Sequence, residues 1–362
     1  MLRPVTAACF AFACAAPIAG SANVPWFSAP TAKVVAQPVT FTNAGATLRG
    51  TLYLPNTTDR VPAIVVFHGA SEPLASTPLY AHLREGLPAM GIAVLLFDRR
   101  GTGASTGNRD VVYQTLADDG IAGAQAIRAL PQIDAARVGY WGISQGGWLA
   151  TVAATRDPLA AFAVAVSAPL VTAESQMEFA MTNRLNVMGY GPSDVDAMLA
   201  ARRALDGYFR GVDTRAQAVA ALQSIAEKPW FDQMYLPKPS AVPADPAASS
   251  WRGQMDVDFF ATVARVKIPM LFLMGSNDPW TPVTATVGKL REIARGQPLV
   301  QYAVVPNANH LMMTPPVPET MNDADPAQVA VEEPQAPVYF MLLGAWLSRT
   351  LERPETSAAT PQ

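Results

Sequence analysis

The stretch Val138-Gly139-Tyr140-Trp141-Gly142-Ile143-Ser144-Gln145-Gly146-Gly147-Trp148-Leu149-Ala150 decides the fold. Val138 to Trp141 reads as a buried strand, and Gly146 to Thr155 as a helix. Between them, Gly142-Ile143-Ser144-Gln145-Gly146 fits the G-x-S-x-G pattern. Alone, that pattern is weak, because short Gly/Ser runs arise by chance. Set between a strand and a helix it becomes specific, since a sharp strand–turn–helix connection pushes the serine out above the sheet edge. Gly142 and Gly146 leave room where a side chain would clash. The start of the helix directs N–H groups and a positive dipole end toward the serine oxygen.

Working outward, the same alternation recurs on both sides. Val34 to Val39 and Leu48 to Leu54 flank the turn signal Asn43-Ala44-Gly45 and predict an antiparallel hairpin. Ala63 to Phe67, Ile92 to Phe97 and Ala161 to Val166 are apolar runs expected of strands buried on both faces. Tyr80 to Ala89 and Val111 to Ala129 are helix-like between them. The alternation then pauses. Thr172 to Gly189, Ser193 to Phe209 and Thr214 to Glu227 read as three helices, and a Pro-rich loop runs from Pro237 to Pro246. It resumes with a strand at Ile268 to Gly275, a helix at Thr284 to Arg295, a strand at Val300 to Val305 and a helix at Tyr339 to Leu351. A Pro- and acid-rich loop, Thr314 to Pro337, precedes the last helix. Strands alternating with helices imply βαβ units, a mostly parallel central sheet and an α/β fold. The expected layout is a core in two parts, residues 23–171 and 253–353, with a helical cap insertion at 172–252 and a disordered tail at 354–362.

The chain has 362 residues, 50% hydrophobic and 15% charged, enough apolar material for a large core. A net charge of -3 argues against nucleic acid as the main partner. Residues Met1 to Ala22 read as a secretory signal: Arg3 near the start, an apolar Val5 to Ala16, and small residues at Gly20-Ser21-Ala22. Export to the periplasm or medium is the expectation. Both cysteines, Cys9 and Cys14, fall inside that segment. No later stretch is long and apolar enough to span a bilayer. Only three histidines occur, His68, His82 and His310, which argues against a His-cluster metal site. No metal centre is expected.

A serine hydroxyl needs a base. In this architecture the chain order is Ser, acid, His, and only His310 lies after Ser144. The acid should follow the strand before that of His310, which selects Asp278 in Gly275-Ser276-Asn277-Asp278-Pro279. Asp256 and Asp258 precede that strand and fit less well; Asp98 precedes the serine and reads as structural. The tetrahedral oxyanion needs two donors. One is the backbone N–H of Gln145. The other should come from the loop Phe67-His68-Gly69-Ala70-Ser71-Glu72, with Ala70 favoured and Ser71 the alternative.

Together these residues resemble the α/β-hydrolase superfamily, over roughly Val61 to Leu351 without the insertion. The likenesses are Phe67-His68-Gly69, the Phe97-Asp98-Arg99-Arg100-Gly101 turn with Gly103 and Ser105, Gly142 to Gly147, and Gly275 to Asp278. The branch that is most similar holds serine aminopeptidases, dienelactone hydrolases and many secreted bacterial esterases. The resemblance implies an eight-stranded sheet, a site at the strand C-terminal edge, and acyl transfer through an acyl-enzyme without cofactor. The extended oxyanion glycine run of lipase-type enzymes is absent, which counts against bulky tertiary esters.

The expected activity is hydrolysis of neutral carboxylic esters of short to medium chain, with Met177 and Met181 of the insertion lining an acyl pocket. Two alternatives stand beside it. One is a peptidase that releases N-terminal residues, for which Glu174 and Glu178 would bind the substrate ammonium. The other is a secreted binding protein without catalysis.

Overall fold

The computed structural model describes residues 34–71, 74–314 and 335–352. The signal reading of Met1 to Ala22, most of the Thr314–Pro337 loop and the tail from Pro354 lie outside the described residues. Eight strands form one sheet in the order β1-β2-β4-β3-β5-β6-β7-β8. They are β1 (Val35–Asn43), β2 (Ala46–Leu54), β3 (Val61–Phe67), β4 (Ala93–Phe97), β5 (Ile133–Ile143), β6 (Ala163–Val166), β7 (Met270–Gly275) and β8 (Val300–Val305). β1 and β2 pair antiparallel through the Ala44–Gly45 turn, where both φ angles are positive (45° and 75°). That is the turn chemistry a tight two-residue hairpin demands. β2 joins β4 antiparallel, and from β4 to β8 every pairing is parallel.

The two faces of the sheet explain the continuous apolar runs. In β3, Ala63, Val65 and Phe67 enter one buried cluster. Ile64 and Val66 enter the other. The first cluster is covered by α2 (Tyr113–Arg128), α3 (Gln145–Arg156), α8 (Phe259–Val263) and α9 (Val283–Gly296). The second is covered by α1 (Ala81–Ala89) and α10 (Pro337–Leu351). With helices on both faces, a strand has no solvent side on which to place polar residues. β5 is longer than its apolar run. Its first half, starting at Ile133, pairs with Val61, and the register shifts across Pro62, which has no N–H for the ladder.

The insertion folds as its own layer. It holds α4 (Ala173–Val187), α5 (Pro192–Arg210) and α6 (Arg215–Gln223), followed by 3-10 turns and α7 (Trp251–Gln254). The three helices share a separate buried cluster with Trp230, Phe231, Met234, Val242 and Met255. α6 stops at Gln223, four residues before the predicted end at Glu227. Its start carries a capping box between Thr214 and Gln217. Among the described residues no helix is long and apolar enough to cross a membrane.

Candidate active site

Ser144 stands between β5 and α3 with φ 55° and ψ −123°. A serine held there stores of order 1–3 kcal/mol of strain, which the surroundings must enforce. They do so by crowding. A methyl group at Gly142 would lie 1.9 Å from the Gly146 carbonyl oxygen, and one at Gly146 would lie 2.2 Å from that of Phe67. Only glycine fits either place. The Ser144 N–H donates to the Val166 carbonyl (2.8 Å), tying the turn to the end of β6.

Because β5 to β8 run parallel, their C-terminal ends share one edge. Ser144 leaves β5, Asp278 follows β7 and His310 follows β8. The structure brings the last two together: His310 Nδ1 lies 2.8 Å from Asp278 Oδ2. The Asp278 side chain is fully buried and that of His310 is 13% exposed. The other carboxylate oxygen, Oδ1, accepts the N–H groups of Trp280 (2.8 Å) and Thr281 (3.0 Å). Backbone N–H groups thus hold one oxygen of Asp278 and leave the other to the imidazole. The acid and base loops are also stitched to each other. Asn277 N–H donates to Ala308 O (3.0 Å), and Asn307 N–H to Ser276 Oγ (2.8 Å). Asn309 Oδ1 accepts the N–H groups of Leu311 and Met313, which folds the turn around His310.

Gln145 is the first residue of α3, so its N–H has no acceptor within the helix. Burial pushes the Tyr113 hydroxyl up from its ordinary pKa, and the neighbouring Gln145 side chain opposes the rise. On the opposite loop, the Gly69 N–H is taken by Tyr80 Oη (3.1 Å), which leaves the exposed Ala70 as the next N–H along. Arg99 fixes that loop by donating to the carbonyls of His68 (2.9 Å) and Gly69 (3.1 Å). Sequence reasoning noticed Arg99 only as part of a turn. Its reach of some thirty positions along the chain leaves no local signal.

The other two histidines are structural. His68 Nε2 lies 2.5 Å from Phe97 O, and burial lowers its pKa to about 4. His82 is bonded through Nδ1 to Leu79 O and through Nε2 to Tyr339 Oη, and burial lowers it to about 3. Asp98 accepts the N–H groups of Ala75 and Ala104. Asp258 caps α8 through Ala261 N–H, and Asp256 pairs with Arg210.

The helical layer meets the acid loop directly. From α4, Gln176 donates to Trp280 O and Asn183 to Pro279 O, both at 2.9 Å. The Trp280 ring lies 6.3 Å from that of His310. The two methionines expected to line an acyl pocket part company: Met181 is fully buried in the core of the layer, while Met177 packs at its margin and is partly exposed. Glu174 is gripped by Arg210 through two bonds (2.9 and 2.6 Å), and Glu178 by Arg203 (2.7 and 3.1 Å). Among the described residues, no group of three or more His, Cys, Asp or Glu could hold a metal ion.

Comparison with known proteins agrees with this architecture. The sequence model described as X-Pro dipeptidyl-peptidase (S15 family) matches residues 44–312. The thiohydrolase aneE of Aspergillus aculeatus is 32% identical over 162 residues, 44% of this chain and 48% of that protein. The chain therefore aligns with about half the length of that curated relative. Among solved structures, an esterase from Pyrococcus furiosus superposes with a TM-score of 0.56 at 17% identity, covering 87% of this chain and 91% of the other. The α/β hydrolase GrgF from Penicillium sp. sh18 gives 0.52 at 19% identity, covering 87% and 99%. At such identities these structures speak for the fold.

Proposed function

The chain is an α/β hydrolase and belongs to the X-Pro dipeptidyl-peptidase (S15) family, and we propose that it cleaves carboxylic esters through a Ser144–His310–Asp278 triad. The observation that carries this reading is the 2.8 Å contact of His310 Nδ1 with Asp278, whose other oxygen is saturated by backbone N–H groups. An acid held in that way fixes the imidazole tautomer with the proton on Nδ1, makes Nε2 the basic nitrogen, and stabilises the imidazolium that forms.

In the first half-reaction His310 Nε2 takes the Ser144 proton as Oγ attacks the ester carbonyl. The N–H groups of Gln145 and Ala70 receive the oxyanion, and the positive end of α3 adds to them. His310 then protonates the leaving alkoxide. Water repeats the sequence on the acyl-enzyme, releasing the acid and restoring Ser144. His68 and His82 are engaged through ring nitrogens by Phe97 O, Leu79 O and Tyr339 Oη, and burial makes them weaker bases, at about 4 and about 3, which favours His310 as the base.

The choice of ester over peptide rests on the helical layer. A peptidase acting on free N-termini needs a carboxylate for the substrate ammonium. Glu174 and Glu178, the candidates, are each neutralised by an arginine. A thioester is the second reading, favoured by the 32% identical relative named a thiohydrolase. The same triad and oxyanion donors serve it, with a thiolate as the leaving group. Export, with Met1 to Ala22 as the removed leader, is part of the proposal.

The test is a matched panel: one acyl group presented as an oxoester, a thioester and an anilide, beside an X-Pro anilide. Turnover of an acyl ester, lost on Ser144→Ala, supports the proposal. X-Pro anilide cleaved faster than any ester overturns it in favour of peptidase activity. No fluorophosphonate labelling of Ser144 in the folded protein overturns catalysis altogether.

A further inference from the structure

One buried residue touches the supports of all three groups assigned to the triad. Ser167 follows β6 directly, is fully buried, and has φ 49°. Its N–H donates to Leu273 O (2.8 Å), extending the pairing of β6 with β7. Its Oγ donates to the His310 carbonyl (2.7 Å). Its own carbonyl accepts from Thr281 Oγ1 (3.3 Å), and the Thr281 N–H in turn donates to Asp278 Oδ1 (3.0 Å). The residue before it, Val166, accepts the Ser144 N–H. Within two consecutive residues the chain therefore holds the nucleophile's backbone, the base's backbone and the loop that saturates the acid.

The residue type is informative. A left-handed φ is met at least cost by glycine, and a buried hydroxyl is costly unless bonded. Glycine would satisfy the backbone here at lower strain. What glycine cannot supply is the bond to His310.

We infer that Ser167 is a positioning residue for the hydrolytic reaction, its hydroxyl setting where the His310 loop sits relative to Asp278 and Ser144. It touches no reacting atom. It acts through the main chain of the base, and the inference rests on the triad reading above. Without the bond, the His310 main chain loses its tie to the end of β6, and the imidazole loses register with both partners. A shift of about 1 Å at a reacting group lowers rates about 100-fold. The displaced group is the one that moves protons in both half-reactions, so the loss is expected in kcat.

Ser167→Ala, Ser167→Gly and Ser167→Thr separate the hydroxyl from the backbone. Each is assayed with the ester that wild type turns over, with active sites counted by fluorophosphonate titration, alongside Tm and the pH profile of kcat/KM. Ala and Gly are expected to lose about 10- to 100-fold in kcat with KM unchanged. Their acidic limb moves to lower pH, because a looser contact with Asp278 stabilises the His310 imidazolium less. Gly is the more stable of the two. Thr restores kcat per titrated site while lowering Tm, since a β-branched residue is strained at this φ. Wild-type kcat in the glycine variant, or a loss with no change in the pH limb and no rescue by Thr, overturns the inference. Wild type that fails to label overturns the triad reading itself, and with it this inference.

Discussion

The sheet edge and the helical layer are built by opposite means. At the edge, geometry is imposed by backbone and by missing side chains: Gly142 and Gly146 are packed so closely that a methyl group at either would sit about 2 Å from a carbonyl oxygen. In the layer, geometry is imposed by side chains. Met181, Leu185, Met198 and Trp230 fill a cluster of its own. Buried Arg202 reaches across to the Met234 and Tyr235 carbonyls. The edge therefore tolerates almost no substitution, whereas the layer tolerates change that preserves volume. A rigid edge suits chemistry that needs fixed distances, and a layer that repacks suits selection among substrates.

The largest effects should fall on the edge. Ser144→Ala is expected to lower turnover by about 10⁴-fold or more while leaving the fold intact. Steady-state kinetics with a nitrophenyl ester and a circular dichroism spectrum check both halves. Gly142→Ala should be worse for the protein and no better for the enzyme. The new methyl meets backbone rather than a movable side chain, so the turn opens or the protein fails to fold. Soluble yield and fluorophosphonate labelling report it. A folded, active Gly142→Ala would break the contrast with the layer at its strongest point.

That contrast also explains what could be read in the sequence. The glycines at 142 and 146, the order Ser144, Asp278, His310 and the apolar runs of β3 to β8 are local signals, and the structure places Asp278 against His310 as that order requires. The hairpin turn at Ala44–Gly45 was equally legible. The first half of β5 was not, because Asp134, Ala135 and Ala136 carry no strand pattern; they are held by the pairing of Ile133 with Val61. The roles of Arg99, Tyr80 and Ser167 rest on bonds to carbonyls and N–H groups distant in the chain. The burial of Met181 was not legible for the opposite reason. A methionine on a helix looks the same from the sequence whether it lines a pocket or fills a core, and here it is fully buried.

Next in size is damage inside the layer. Met181→Ala is expected to cost about 2–5 kcal/mol, from lost burial and the cavity left behind. The expected outcome is a lower Tm with kcat per labelled site largely kept. A selective loss of kcat/KM for longer acyl chains would instead join Met181 to the substrate pocket and blur the division between layer and edge.

Acid should act on the sheet side, because His68 and His82 pack on β3 and α1. Burial holds them at about 4 and about 3, against 6.5 when free. Between those values the unfolded chain binds more protons than the folded one, so stability rises with pH there. The contribution is complete above about 6.5 and is lost as pH falls toward 4 and then 3, at about 3 kcal/mol for His68 and about 5 kcal/mol for His82. Tm measured across this window should fall with acidification, and His82→Gln should flatten the slope.

The smallest effect is expected at the layer's surface, and it bears on substrate class. Glu178 is paired with an Arg203 side chain that is 61% exposed. Exposed ion pairs contribute about 0–1 kcal/mol, so Glu178→Gln should barely move Tm. Kinetics are the sharper readout. If the carboxylate serves only Arg203, KM is unchanged both for a substrate with a free amino group and for its N-acylated twin. If KM rises for the free amine alone, Glu178 is exchanging its arginine for a substrate ammonium. The layer would then be part of a peptidase subsite rather than the carrier of a surface ion pair. Running Glu174→Gln in parallel separates the two carboxylates, because Arg210 keeps Asp256 as a partner when Glu174 is neutralised. Its guanidinium therefore stays satisfied, and any change in KM belongs to the lost carboxylate rather than to a stranded arginine.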